Sequence, residues 1–130
     1  MTSDGEYLEL AARAFEAVRA GDTAELVAAL AAGVAVNLAN QSGDTLVMLA
    51  AYHGHLAALE VLLERGADPN RLNDKAQSPL AGAVFKTSDD IVRVLLAAGA
   101  DPAAGQPSAV DTARMFGRDE LLALFEQTRE

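Results

Sequence analysis

His53 and His55, the chain's 2 histidines, stand one residue apart in the stretch AAYHGHLAAL. Such a pair could ligate a metal ion or exchange protons near neutral pH. The spacing speaks against a shared metal. Ligands on one helix face lie three or four residues apart, and here a turn-forming glycine separates the two. No cysteine and no further histidine is present to complete a zinc shell. Nucleophilic chemistry finds equally little. Ser42, Ser78, Ser88 and Ser108 stand where turns and helix starts favour a hydroxyl, and none lies in a nucleophile elbow. The neighbouring carboxylates Asp89-Asp90 and Asp119-Glu120 suit the positive N-terminus of a helix better than a glycosidase pair. The glycines follow neither dinucleotide nor Walker order. The sequence therefore predicts no catalytic, metal or cofactor residues; the alternative is a metal-dependent enzyme that uses His53 and His55.

What positions these residues follows first from composition. A chain of 130 residues that is 51% apolar can bury one core without disulfides or metal, so residues 1–130 are expected to form a single domain. The formal charge of −9 repels phosphate backbones and anionic membranes. Lysines and arginines are scattered singly, so neither a nucleic acid nor a membrane is expected as partner. The start, MTSDGEYLEL, is acidic rather than signal-like, and no apolar run approaches the ~18 residues of a spanning helix. A cytoplasmic, water-soluble protein is expected.

Periodicity then organises the chain. AALAAGVAVN (28–37), VLLERGADPN (61–70) and VLLAAGADPA (94–103) superimpose at a shift of 33 residues, with Gly33, Gly66 and Gly99 in register. Gly21, Gly54 and Thr87 obey the same shift, as do Thr45-Leu46 and Ser78-Pro79. A shorter copy, SAVDTARMFGRDELLALF (108–125), aligns Gly117 with Gly54 when three residues are lost from the loop before it. Within each copy a short apolar segment stops at a glycine suited to the left-handed end of a helix. Asp22-Thr23, Ser88-Asp89 and Asp119 then start a second helix. The unit is helix, tight turn, helix, extended loop, and it must stack on its neighbours to bury a core.

This pattern resembles the ankyrin repeat, with Asn40, Gly43, Thr45, Ala50-Ala51, Gly54-His55, Val61-Leu62-Leu63 and Gly66-Ala67-Asp68-Pro69-Asn70 carrying the motif in the second copy. The resemblance implies an all-α solenoid of helix-turn-helix units with hairpin-like loops. Repeats are expected at about 1–39, an N-terminal cap, then 40–72, 73–105 and 106–130, a C-terminal cap. Both end helices mix apolar with charged residues, so a complete four-repeat protein is expected. The first helix combines Tyr7, Leu8, Ala11, Ala14, Phe15 and Val18 with Glu6, Glu9, Arg13 and Glu16. Two departures stand out. The family's T-P-L-H tetrad loses its bracing histidine to Met48, Ala81 and Asp111. Ala76 and Thr87 replace glycines that prefer positive φ, which predicts local strain of ~1–2 kcal/mol or a differently built turn.

Ankyrin-like stacks bind macromolecules through a concave face of loop tips and first helices. The resemblance thus points to a protein partner held by Gln41, Ser42, Asp44, Tyr52 and His53 in the second repeat. Asp74, Lys75, Gln77, Phe85 and Lys86 correspond in the third, and Met115 and Phe116 in the fourth. One helix position carries Tyr52, Phe85 and Met115 in turn, which predicts an apolar ridge flanked by Asp44, Asp74, His53 and Lys86. The competing expectation is that these side chains fold back between repeats. A monomer is expected, with a homodimer through this surface as the alternative. The net charge favours basic elements in the partner.

Overall fold

The turns of this chain are made where glycine permits backbone angles that side chains oppose. Gly21, Gly54 and Gly117 sit at φ 75, 76 and 65°, and each lets an inner helix end and reverse into an outer one. In the computed structural model, which describes residues 3–128, eight helices result. They are α1 (Asp4–Ala20), α2 (Thr23–Ala31), α3 (Leu46–Tyr52), α4 (Leu56–Glu64), α5 (Pro79–Phe85), α6 (Asp89–Ala97), α7 (Ala109–Met115) and α8 (Asp119–Thr128). No described helix is long and apolar enough to cross a membrane.

Helices pair within a copy and stack between copies. α1, α3, α5 and α7 form an inner row, while α2, α4 and α6 form an outer row behind it. Leu46, Val47, Ala50, Ala51, Leu80, Ala83 and Val84 bury the inner row, and Leu26, Leu59, Leu62, Ile91 and Leu95 bury the outer one. One continuous apolar core runs through both. This is the all-α solenoid that the resemblance to the ankyrin repeat implies. The extended loop before α3 adds a single antiparallel bridge between Ala39 and Thr45.

Helix starts are fixed by hydroxyls. Thr45, Ser78 and Ser108, all buried, accept hydrogen bonds from the N–H groups of Met48, Ala81 and Asp111 at 3.1, 3.0 and 3.1 Å. Each satisfies a first-turn donor and contributes ~1 kcal/mol. Pro79 occupies the first turn of α5, as its missing N–H allows. The bracing histidine of the tetrad has no counterpart, and other groups tie neighbouring loops. Asp74 donates its N–H to the Ser42 carbonyl at 3.0 Å, and Gln106 donates to that of Ala76 at 2.9 Å. Asn37 and Asn70 accept from the N–H groups of Asp68 and Asp101 one repeat on, at 2.8 and 2.7 Å.

Leu8 of the first helix is 70% exposed. α1 has 17 residues and its inner neighbour α3 has 7, so the first turns of α1 overhang the stack. Tyr7 stays partly buried because its hydroxyl accepts the Ala35 N–H at 3.2 Å.

Strain appears where the sequence predicts it. Ala76 and Thr87 hold φ at 61 and 57°, keeping the turns of their neighbours rather than building others. A β-branched residue in the left-handed region is costly, and the bond from Thr87 Oγ1 to the Lys86 carbonyl at 2.7 Å offsets part of that cost. Thr87→Gly is expected to raise folding stability by ~1 kcal/mol, seen as a higher urea midpoint. An unchanged midpoint would mean the hydroxyl bond cancels the strain.

Candidate functional site

The two histidines do different jobs. The carbonyl of Arg19 can only accept, so His55 Nε2 carries the hydrogen and donates it at 2.8 Å. That bond ties the second repeat to the first. Gly21 makes room for it, since a Cβ there would lie 2.6 Å from His55 Nδ1. Arg118 occupies the corresponding place in the last copy. It reaches back to both carboxylate oxygens of Asp89, at 2.9 and 2.7 Å, while its Nε donates to Glu120 at 2.7 Å. Hydrogen bonds to Asp89 and then Glu120 raise the Arg118 pKa. The Glu120 carboxyl is lowered, first by its own backbone N–H and then by Arg118. This position is therefore a brace between repeats. Sequence reasoning missed it at Arg118, although the register aligning Gly117 with Gly54 places Arg118 opposite His55.

His53 ends α3 and is exposed. Its ring lies nearly parallel to that of His55, with centroids 6.4 Å apart, and edge-on to Tyr52 at 5.6 Å. Among the described residues no three His, Cys, Asp or Glu side chains gather as metal ligands would. Desolvation lowers the His53 pKa, and the positive charges of His55, Arg19 and Lys86 lower it further. The unfolded chain therefore takes up the proton first. Stability from the neutral ring is complete above pH ~6.5 and is lost as pH falls through that value toward the lower folded one. His53→Gln is expected to narrow the difference between urea midpoints at pH 7.5 and 5.5; an unchanged difference would place the pH dependence in other groups.

The large side chains of the inner row face solvent. Tyr52 is 42% exposed, Phe85 55%, Met115 70% and Phe116 49%, so they do not fold back between repeats. They surround a groove of about 370 Å³ rather than crown a ridge. The reason lies in α5, the middle helix, whose outward residues Ala81 and Gly82 are small. Met48 and Tyr52 of α3 stand on one side, and Thr112, Met115 and Phe116 on the other. Phe85 packs against Phe116 with centroids 5.8 Å apart. Lys86 holds its ammonium 4.7 Å from the centre of the Tyr52 ring, a cation–π contact.

Gly82 is notable because nothing local requires it. An added Cβ would meet only Tyr52 Cδ1, at an ordinary 3.8 Å, and glycine inside a helix is ~0.5–1 kcal/mol less stable than alanine. Its effect is to deepen the groove. Met48, Ala81, Gly82, Thr112 and Pro107 line this space alongside Gln77, and of these only Gln77 was legible from the motif's free positions.

The loop-tip residues lie apart from the groove. Asp44 accepts from Asn73 Nδ2 at 2.8 Å, and Asp74 packs its carboxylate where a Gly43 side chain would stand. Gln41, Ser42 and Lys75 are exposed on the same turns. The structure thus brings together Tyr52, Gln77, Phe85, Met115 and Phe116, sets His53 and Lys86 at their side, and leaves Gln41, Ser42, Asp44, Asp74 and Lys75 on the hairpin turns. Asp44 and Asp74 are not among the residues that line the groove: the Asp44 carboxylate accepts from Asn73, and that of Asp74 lies against Gly43.

A stack of short helix pairs, braced repeat to repeat and offering an inner-row groove, defines a helical repeat protein. Residues 14–105 match the family model for ankyrin repeats in 3 copies. The chain belongs to the ankyrin-repeat family, whose repeats are in general protein–protein interaction modules. Among relatives, it is 33% identical over 92 residues to the inactive serine/threonine-protein kinase TEX14 of Mus musculus, a match covering 71% of this chain and 6% of that protein. It is 30% identical over 96 residues to the ankyrin repeat and KH domain-containing protein mask-1 of Caenorhabditis elegans, covering 74% of this chain and 3% of that one. With cyclin-dependent kinase 4 inhibitor B of Bos taurus it shares 36% identity over 92 residues, 67% of this chain and 70% of the inhibitor. It thus spans only a small part of the first two.

Proposed function

We propose that this chain acts by binding a partner protein on its inner-helix face, the concave side of the stack, and carries out no catalysis of its own. The groove between α3, α5 and α7 carries this reading. Half of the chain's six aromatic residues, counted as 2 Tyr and 4 Phe, are Tyr52, Phe85 and Phe116, exposed together around it. Large side chains held in water at one place forgo burial free energy that a partner's contact would return. The cyclin-dependent kinase 4 inhibitor, of similar repeat extent, is by its name a protein that acts by engaging another protein. A single domain over 1–130 and a cytoplasmic setting belong to the same reading.

The test is retention of a partner from source lysate by wild type beside Tyr52→Ala/Phe85→Ala, after circular dichroism shows equal folding. A protein kept by wild type and lost by the double variant supports the reading. The same protein kept by both moves binding to Gln41, Ser42 and the other loop-tip residues. A dimer by light scattering that the double variant abolishes would assign the surface to self-association instead.

A further inference from the structure

We propose that the groove takes a peptide segment in which a large apolar side chain is flanked by carboxylates. The partner is thus an acidic ligand for a chain that is itself strongly acidic. This rests on the protein-binding reading above and reverses the expectation of a basic partner drawn from the net charge of −9.

Shape argues for the apolar anchor. The floor at Ala81 and Gly82 lies below the side chains of Tyr52, Met115 and Phe116, and the space of about 370 Å³ is lined mainly by carbon. A Leu, Phe or Trp side chain entering it would be desolvated on several sides, the setting of interface anchors.

Local charge argues for the acidic flanks. Arg19, His53 and Lys86 lie at the same end of three successive inner helices, α1, α3 and α5. Lys86 is held against the groove's own Tyr52 wall. Among the described residues neither Arg19 nor Lys86 has a carboxylate within ion-pair distance. The acids that follow Lys86 and Arg19 in the chain are already engaged: Asp89 by Arg118, Asp90 by the Ile91 N–H and Asp22 by the Glu25 N–H. Desolvation first, and then the charges of His55, Arg19 and Lys86, lower the His53 pKa, and no carboxylate is among the groups that shift it. Lys86 is thus the cation beside the groove left for an incoming carboxylate, with Arg19 further along the same row on α1, and interfaces match local potential rather than net charge.

The experiment is a random-peptide phage selection against the whole chain, with enriched sequences remade as fluorescein-labelled peptides. Enriched peptides are expected to place Asp or Glu beside Leu, Phe or Trp. Their affinity is expected to fall about tenfold or more in Gly82→Leu, which fills the groove, and in Lys86→Glu, and to weaken with added salt. Lysine-flanked versions should bind Lys86→Glu better than wild type. Because Lys86 is exposed, that variant keeps the test decisive should Gly82→Leu fold poorly. Basic-flanked peptides that Tyr52→Ala/Phe85→Ala abolishes would overturn the acidic ligand and leave the binding surface standing. Peptides indifferent to every variant would overturn both. Failure to enrich any peptide would overturn a linear acidic ligand, leaving a folded partner to the lysate experiment.

Discussion

Leu59→Ala should lower folding stability by ~3 kcal/mol and the melting temperature by roughly 10 °C. Leu59 lies at the middle of α4 with 0% exposure, in the outer row between α2 and α6. Truncation removes transfer free energy and leaves a cavity that stacked neighbours on both sides must collapse to fill. The effect is enlarged by how little else holds α4. His55 precedes it without a side-chain cap, and the helix has only 9 residues, below the length that is stable alone in water. In a repeat stack stability is the sum of weak units and their interfaces, so damage at a central repeat weakens two interfaces together. Urea unfolding followed by circular dichroism measures the change. A loss under about 1 kcal/mol would mean that the outer row is not packed through Leu59.

Tyr52→Ala/Phe85→Ala should do the opposite, costing binding rather than stability. Both side chains are roughly half exposed, so truncation creates no closed cavity, and the folding change is expected within about 1 kcal/mol. Aromatic anchors at an interface contribute ~2 kcal/mol each, so the double variant should lose roughly a hundredfold or more in affinity for a groove partner. Calorimetric titration with the partner, set beside urea midpoints of both proteins, separates the two effects. A stability loss near that of Leu59→Ala with unchanged affinity would make these residues structural and remove the groove from function.

The site was partly visible in the sequence, and the reason differs residue by residue. Tyr52 and Phe85 emerge from the 33-residue shift, and Met115 from the same register after the loss of three residues, because a large apolar side chain recurs at a position that the motif leaves free. Gly82 stays hidden, since a glycine inside a helical pattern reads as a weak helix former until its neighbours show a space above it. Asp44 and Asp74 read as flanking charges because sequence gives their register but not that one accepts from Asn73 and the other lies against Gly43. Arg118 and Asp89 are 29 residues apart, and neither announces the other.

The repeat period, the alternation of helix and turn, the hydroxyls of Ser78 and Ser108 at turns and helix starts, and the two non-glycine positions, Ala76 and Thr87, where a turn had to be strained or rebuilt, were determined by sequence alone. These depend on interactions within a few residues, where spacing fixes contact. Tertiary structure alone decided that Tyr52, Phe85, Met115 and Phe116 border a groove, and that Lys86 is held against its Tyr52 wall. The floor, the walls and the charges come from three successive repeats. Which side chain fills a space, and which carboxylate is already engaged, is settled only when the helices stack.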